Sequence, residues 1–287
     1  MRTITLEELL EAGCHFGHQV TRSSPKAREF IYEVRDNIHI IDLVKTKQGL
    51  EDAGAFIKDL ASKNGTLIVV GTKRQARGIV EEAVREASDK EAGVGLFYVT
   101  NRWVGGLLTN FPEVSKNFEK LKTLSENLKN ETLKAKYTKK EIGQWLQERQ
   151  KLERVYGGVA TLKGKPDAIF IIDSHIENLA VREAIRQGVT TIAIVDTNAD
   201  PDIIDYPIPA NDDAVGSIKL ITAYIIDSWI EGRKLAKDTK DKELAKDAKT
   251  TPRKTQKEKD IKDVKSRKSR KKEGFVNLAR KENLNED

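Results

Sequence analysis

The chain carries a single cysteine, Cys14. One thiol cannot close an intrachain disulfide, which excludes a small disulfide-stapled scaffold and suits a reducing compartment, the cytoplasm by expectation. Long apolar runs are missing too. No stretch approaches the about 18 uninterrupted apolar residues of a membrane-spanning helix, and the opening Met1-Arg-Thr-Ile-Thr-Leu-Glu-Glu8 has no apolar signal core, so no membrane role is expected. Nucleotide fingerprints are absent as well. Gly71-Thr72-Lys73-Arg74 lacks the spacing of a Walker loop, and Gly93-Val94-Gly95 precedes its strand and lacks a third glycine.

Charge is plentiful but unevenly placed. The 51 basic and 45 acidic residues leave +6 overall, yet the part from Arg233 onward holds 20 Lys/Arg against 11 Asp/Glu, so residues 1–232 carry −3. The body is not generally basic, and any nucleic-acid binding there has to come from local patches. Residues 236–287 are rich in Lys and poor in apolar side chains, as in Lys265-Ser-Arg-Lys-Ser-Arg-Lys-Lys272. Such a stretch buries too little surface to offset its chain entropy and is expected to be a disordered basic tail, either solubilising or bound to polyanions by counterion release.

Four short apolar runs carry the fold: Thr66 to Val70, Leu96 to Val99, Ala168 to Ile172 and Thr191 to Val195. Helical spacing is expected over Leu43 to Ser62, closed by Asn64-Gly65, over about Gln75 to Ser88, and over Asn178 to Gln187, closed by Gly188. Continuous apolar strands alternating with helices predict a parallel sheet covered on both faces, a Rossmann-like or flavodoxin-like doubly wound α/β domain of residues 1–110 and 157–235. Between the second and third strands lies an insertion, 111–156. Phe111, Val114, Phe118, Leu121, Leu124 and Leu128, then Ile142, Trp145, Leu146, Leu152 and Val155, recur at helical steps and predict an antiparallel coiled-coil hairpin. A last body helix is expected from about Ala214 to Leu235, started by Asp213.

Chemistry-bearing residues gather after the strands. Asn101-Arg-Trp-Val-Gly-Gly-Leu-Leu-Thr-Asn110 follows the second strand, at the sheet edge where open α/β sheets bind partners. Arg102 can pair with a phosphate, Trp103 can stack on a base or fill the core, and Gly105-Gly106 permits close backbone approach. Lys73, Arg74 and Arg77 surround a helix start that could meet a phosphate. Cys14, His15 and His18 are potential zinc ligands, but zinc sites usually need four and the other histidines are His39 and His175, so no metal or cofactor is assigned. Asp173, Asp196, Asp200, Asp202 and Asp205 follow strand ends, where they could hold magnesium, serve acid–base catalysis or simply shape turns. No Ser/His/Asp pairing or nucleophile elbow stands out, and the chain is not expected to be an enzyme.

Taken in order, His15-Phe-Gly-His18, Gly71-Thr-Lys-Arg74, Arg102 to Asn110, Pro166-Asp167 with Ile172-Asp173, Ala193-Ile-Val-Asp-Thr-Asn198 and Ile208-Pro-Ala-Asn-Asp-Asp-Ala214 resemble the bacterial branch of the ribosomal small-subunit protein S-two family. The similarity spans residues 5 to about 233, and the inserted hairpin is similar to the bacterial form. The sequence departs from the family pattern at Ser23-Ser24-Pro25-Lys26, where an aromatic residue and Asn usually precede Pro-Lys. The resemblance implies a non-catalytic ribosomal component that contacts small-subunit ribosomal RNA and neighbouring small-subunit proteins, including protein S-one where the organism has it, and that is not a homo-oligomer. It makes His15, His18, Arg22, Lys26, Lys73, Arg74, Arg77, Arg102, Trp103 and Asn110 candidate RNA or partner contacts. The alternatives are a Rossmann-like enzyme acting on a nucleotide or phosphorylated substrate and a free regulatory RNA-binding protein.

The charge distribution makes a direct prediction. Residues 1–232 alone should bind naked RNA weakly, while the full chain should bind more tightly with a steep salt dependence in a filter-binding series. Tight, salt-resistant binding by the truncated body would contradict it.

Overall fold

A computed structural model describes residues 3–90 and 92–250, with side chains as far as residue 238. Its central element is a five-stranded sheet built from β4 (Leu67–Val70), β5 (Leu96–Val99), β6 (Ala168–Ile171), β7 (Thr190–Val195) and β8 (Tyr206–Pro209). The spatial order is β5-β4-β6-β7-β8, and every neighbouring pair is parallel. Counted from β4, this is the flavodoxin-like order, whose topological switch point lies between β4 and β6. The expected parallel α/β architecture is therefore present.

Successive residues of each strand point to opposite faces, and both faces are dry. Leu67, Val69, Phe170, Ile194 and Ile208 pack against helices α2 (Leu43–Ser62), α3 (Arg74–Asp89) and α8 (Val215–Thr250), through Leu50, Ile57, Val80, Ile221, Ile225 and Trp229. Ile68, Val70, Ile169, Ile171, Ala193 and Val195 pack on the other side against α7 (Asn178–Gln187) and against Trp103, Leu107 and Leu108. The Arg102 to Asn110 segment is thus a lid on the core.

Two parts escaped the sequence reading. Strand β8 carries Pro207 and Pro209, residues that argue against a strand except at an edge, and β8 is an edge strand. The second is a small antiparallel sheet of β1 (Phe16–Gln19), β2 (Ile31–Arg35) and β3 (Ile38–Ile41), preceded by α1 (Leu6–Glu11). Its hairpin turns at Asp36-Asn37, both with positive φ, 50° and 61°, as a two-residue hairpin turn demands.

The insertion consists of α4 (Phe111–Lys129), the single turn α5 (Glu131–Lys134) and α6 (Lys139–Tyr156). Phe118 meets Tyr156 edge-on at 5.6 Å, and Lys120 pairs with Glu148, so early residues of α4 face late residues of α6. Thr138 and Glu141 form a reciprocal capping box that starts α6. Val114, Phe118, Leu121 and Leu124 are buried, whereas α6 contributes no buried residue.

Helix α8 differs at both ends from expectation. Its entry is held by Asn211, whose side chain accepts from the backbone N–H groups of Asp213 and Ala214, so Asn211 takes the capping role read for Asp213. The helix also runs past Leu235 to Thr250. Lys and Ala make up just over half of residues 236–250 and no Gly or Pro intervenes before Pro252, which permits helix where disorder was expected. The rest of the tail, 251–287, lies outside the described residues.

Candidate functional site at the strand ends

The C-terminal strand ends converge on Lys73, the residue that precedes α3 directly after β4. Its ammonium lies 2.7 Å from Asp173 Oδ2 beyond β6, 2.7 Å from Asp212 Oδ1 and 2.8 Å from Asp213 Oδ1, and it donates to the Asp212 carbonyl at 3.1 Å. The side chain is 10 % exposed. Burial works against its charge, but the carboxylates of Asp212, Asp173 and Asp213 overcome this and hold it above the ordinary lysine range. Asp212 responds in the opposite sense. Its burial, reinforced by the charges of Asp173 and Asp196, pushes its carboxyl up to about 7 despite Lys73.

The other acidic residues are tied into the loops. Asp173 Oδ1 accepts from the backbone N–H groups of His175 and Ile176, and Asp196 Oδ1 accepts from the Thr197 hydroxyl at 3.1 Å. Asp205 accepts from Thr191, and Asp200 accepts from Asp202 N–H and pairs with Lys26. Most of this cluster is accordingly loop chemistry.

His18 reaches the same place from the small sheet. Its backbone N–H donates to Thr197 Oγ1 at 2.9 Å, and a Cβ on Gly17 would lie 2.7 Å from Thr197 Cγ2, so only glycine lets β1 approach this closely. The His18 ring stands with Nδ1 3.1 Å from Asp196 Oδ1 and Nε2 3.7 Å from Asp213 Oδ2. The adjacent Asp196 carboxylate pushes the ring above its ordinary pKa against the effect of partial burial.

The Arg102 to Asn110 segment is organised by Glu183 of α7, which the sequence reading missed. Its Oε1 accepts from Trp103 Nε1 at 3.3 Å and Gly106 N at 2.8 Å, and its Oε2 accepts from Leu108 N at 3.1 Å and from Thr109 N and Oγ1, both at 3.2 Å. Gly106 adopts φ of 92°, which lets the chain wrap the carboxylate. Burial pushes Glu183 up, and the donors of Gly106, Leu108, Thr109 and Trp103 outweigh it, leaving the carboxyl below its ordinary value. A signal existed: Glu183 shares the buried stripe of Ala180, Val181 and Ala184 on α7.

Three of the expected contacts lie further inward than the rest. Trp103 is 7 % exposed and donates to Glu183, so its indole packs with the core, the second of the two roles expected for it. Lys73 is an internal counter-ion and His18 faces the acidic strand ends, so neither is a free surface cation. The remaining candidates stay outside. Arg22, Arg74, Arg102 and Asn110 are exposed, and His15 is half-buried with its ring against Phe16. Lys26 is exposed and paired with Asp200 and Asp202. Arg77 donates to the Thr72 carbonyl at 2.9 Å and to the Asn101 carbonyl at 3.5 Å, which brings it beside the strand end that carries Arg102. Arg22 shares a cavity with His18, Lys73, Asp173, His175 and Asp213.

These features define a Rossmann-like α/β protein with an inserted helical pair, its strand ends filled by its own side chains and rimmed by arginines. The family model described as "Ribosomal protein S2" matches residues 9–232. The "Small ribosomal subunit protein uS2" of Sorangium cellulosum (strain So ce56) is 45 % identical over 235 residues, which cover 82 % of each chain. A protein of the same name from Geotalea uraniireducens (strain Rf4) is 44 % identical over 253 residues, 86 % of this chain and 96 % of that one. The chain belongs to the ribosomal protein S2 family.

Replacing Glu183 by Gln should release the lid. Two donors would face an amide N–H₂ instead of a carboxylate, a loss of about 2–3 kcal/mol in urea unfolding. Because the folded-state pKa is lowered, the carboxylate's contribution is complete above the ordinary value of 4.5 and is lost as pH falls through the lowered one. The stability gap between wild type and Glu183→Gln should therefore be constant near neutrality and narrow in acid. A gap that widens in acid would show that Glu183 is not the ionised anchor.

Proposed function

We propose that this chain works as a structural, non-catalytic constituent of the small ribosomal subunit, contacting small-subunit ribosomal RNA through the exposed arginines at its strand ends. The observation that carries this reading is the separation of charges there. The inner cation, Lys73, is consumed by three carboxylates, while Arg22, Arg74 and Arg102 are exposed at the rim, where guanidinium groups suit phosphate pairing. Family membership supplies the partner.

The helical pair 111–156 is a docking arm, a coiled coil that meets neighbouring small-subunit proteins. Its support is the nature of the pairing: α4 buries an apolar stripe, whereas α6 buries no residue and keeps Leu146 45 % exposed. The chain takes its place in the ribosome as a single copy and is not a homo-oligomer. Where the cell has protein S-one, this chain is part of its attachment site, a reading that rests on the family resemblance. The Lys-rich segment 236–287 adds sequence-independent attraction to RNA through its surplus of positive charge.

Arg102→Ala and Trp103→Ala separate contact from core. Arg102→Ala should keep the melting temperature of the wild type and lower the share of chain that sediments with small subunits in a lysate gradient. Trp103→Ala should cost about 3–5 kcal/mol of stability before any assembly defect is measured. Equal sedimentation of Arg102→Ala and wild type under competition, or a soluble peak of wild type free of ribosomal RNA, would count against the assignment.

A further inference from the structure

The charge at the strand ends is not balanced by Lys73 alone. Asp173, Asp212 and Asp213 hold the Lys73 ammonium, and the buried Asp196 beside them pairs with the His18 ring instead. Buried polar atoms without a hydrogen-bond partner are left over beside Lys73. Asp212 is 0 % exposed, its Oδ1 is held by Lys73, and its Oδ2 has no hydrogen-bond partner among the described residues. His18 Nδ1 is buried as an atom and likewise makes no hydrogen bond, although Asp196 Oδ1 is only 3.1 Å away. Ligand atoms of His18, Asp196 and Asp212 lie within 4.8 Å of one another.

A ring nitrogen and a carboxylate oxygen 3.1 Å apart approach the spacing of neighbouring ligands on one ion. Zinc bonds of about 2.0–2.2 Å to nitrogen and oxygen in a tetrahedral site place adjacent ligands about 3.3–3.6 Å apart, so the pair would open by only a few tenths of an ångström on binding. We infer that His18, Asp196 and Asp212 form a site for a single zinc-class divalent cation that pins β1 of the small sheet to the ends of β7 and β8. One imidazole with two carboxylates favours zinc over magnesium, which prefers oxygen ligands and retains its waters. Asp212 then bridges two cations, Lys73 through Oδ1 and the metal through Oδ2. Asn198 sits beside the same ring, its Nδ2 3.3 Å from His18 Nε2, and its buried Oδ1 has no hydrogen-bond partner. The inference stands apart from the ribosomal assignment, because it needs only the folded chain.

The test uses the full chain without a histidine tag, stripped with chelator, exposed to zinc chloride and dialysed, with metal content and competition against a chromophoric chelator as readouts. Wild type should retain one zinc per chain. His18→Ala should weaken binding tenfold or more while circular dichroism shows it folded, and His175→Ala, which removes an exposed histidine of the same cavity, should bind as wild type does. Should His18→Ala fail to fold, cobalt substitution of the wild type keeps the inference testable: cobalt absorption with tetrahedral intensity and a single imidazole in the X-ray absorption fine structure support it. Wild type retaining no more zinc than folded His18→Ala, a cobalt spectrum of the hydrated ion, or displacement of the bound ion by millimolar magnesium would overturn it.

Discussion

The ammonium of Lys73 is the contact on which the strand-end architecture depends. Parallel strands all deliver their following residues to one edge, and in this chain those residues are mostly acidic: Asp173 after β6, Asp196 after β7, Asp212 and Asp213 after β8. Without a cation at the switch point between β4 and β6, three buried carboxylates would repel one another in a medium far less polarisable than water. Lys73 joins the loops after β4, β6 and β8 through one nitrogen. Removing one partner of such a buried group typically costs about 3–5 kcal/mol, because the remaining charge stays desolvated and uncompensated.

Glu183 performs the complementary task on the other face of the sheet. An anion from α7 collects N–H groups from a loop that no helix or strand satisfies, and in doing so it presses Trp103, Leu107 and Leu108 onto Ile68, Val70 and Ile169. The two devices divide the segment after β5. Its apolar side chains close the core, and Arg102, held at the rim, remains for a partner. The same division recurs in Gly71 to Arg77, where Lys73 is internal while Arg74 and Arg77 are exposed.

Much of this architecture was legible from residue pattern. The runs Leu67 to Val70 and Ala168 to Ile171 are apolar throughout because both faces of the sheet are buried, and α2 and α7 have the bounds that spacing and the Asn64-Gly65 and Gly188 stops indicated. Strand β8 was hidden by its two prolines, and the small sheet by the mixed exposure of Ile31-Tyr-Glu-Val-Arg35, in which Tyr32 and Val34 remain exposed. The site was harder to read. Nothing local distinguishes Lys73 from Arg74, or Trp103 from a stacking residue, because their roles are set by Asp212, 139 residues from Lys73, and by Glu183, 80 residues from Trp103. Long-range pairing decides which cation is internal, and only the fold supplies it.

The assignment of an inner edge gathered on Lys73 and an outer arginine rim is most directly tested by a cryo-electron microscopy map of small subunits purified from cells that make this chain. The account predicts Lys73 seated on Asp173, Asp212 and Asp213, Trp103 enclosed against Glu183, and the Arg102 guanidinium beside an RNA phosphate. A map with Lys73 or Trp103 turned outward onto RNA, or with a small organic molecule lodged among the strand ends, would contradict it.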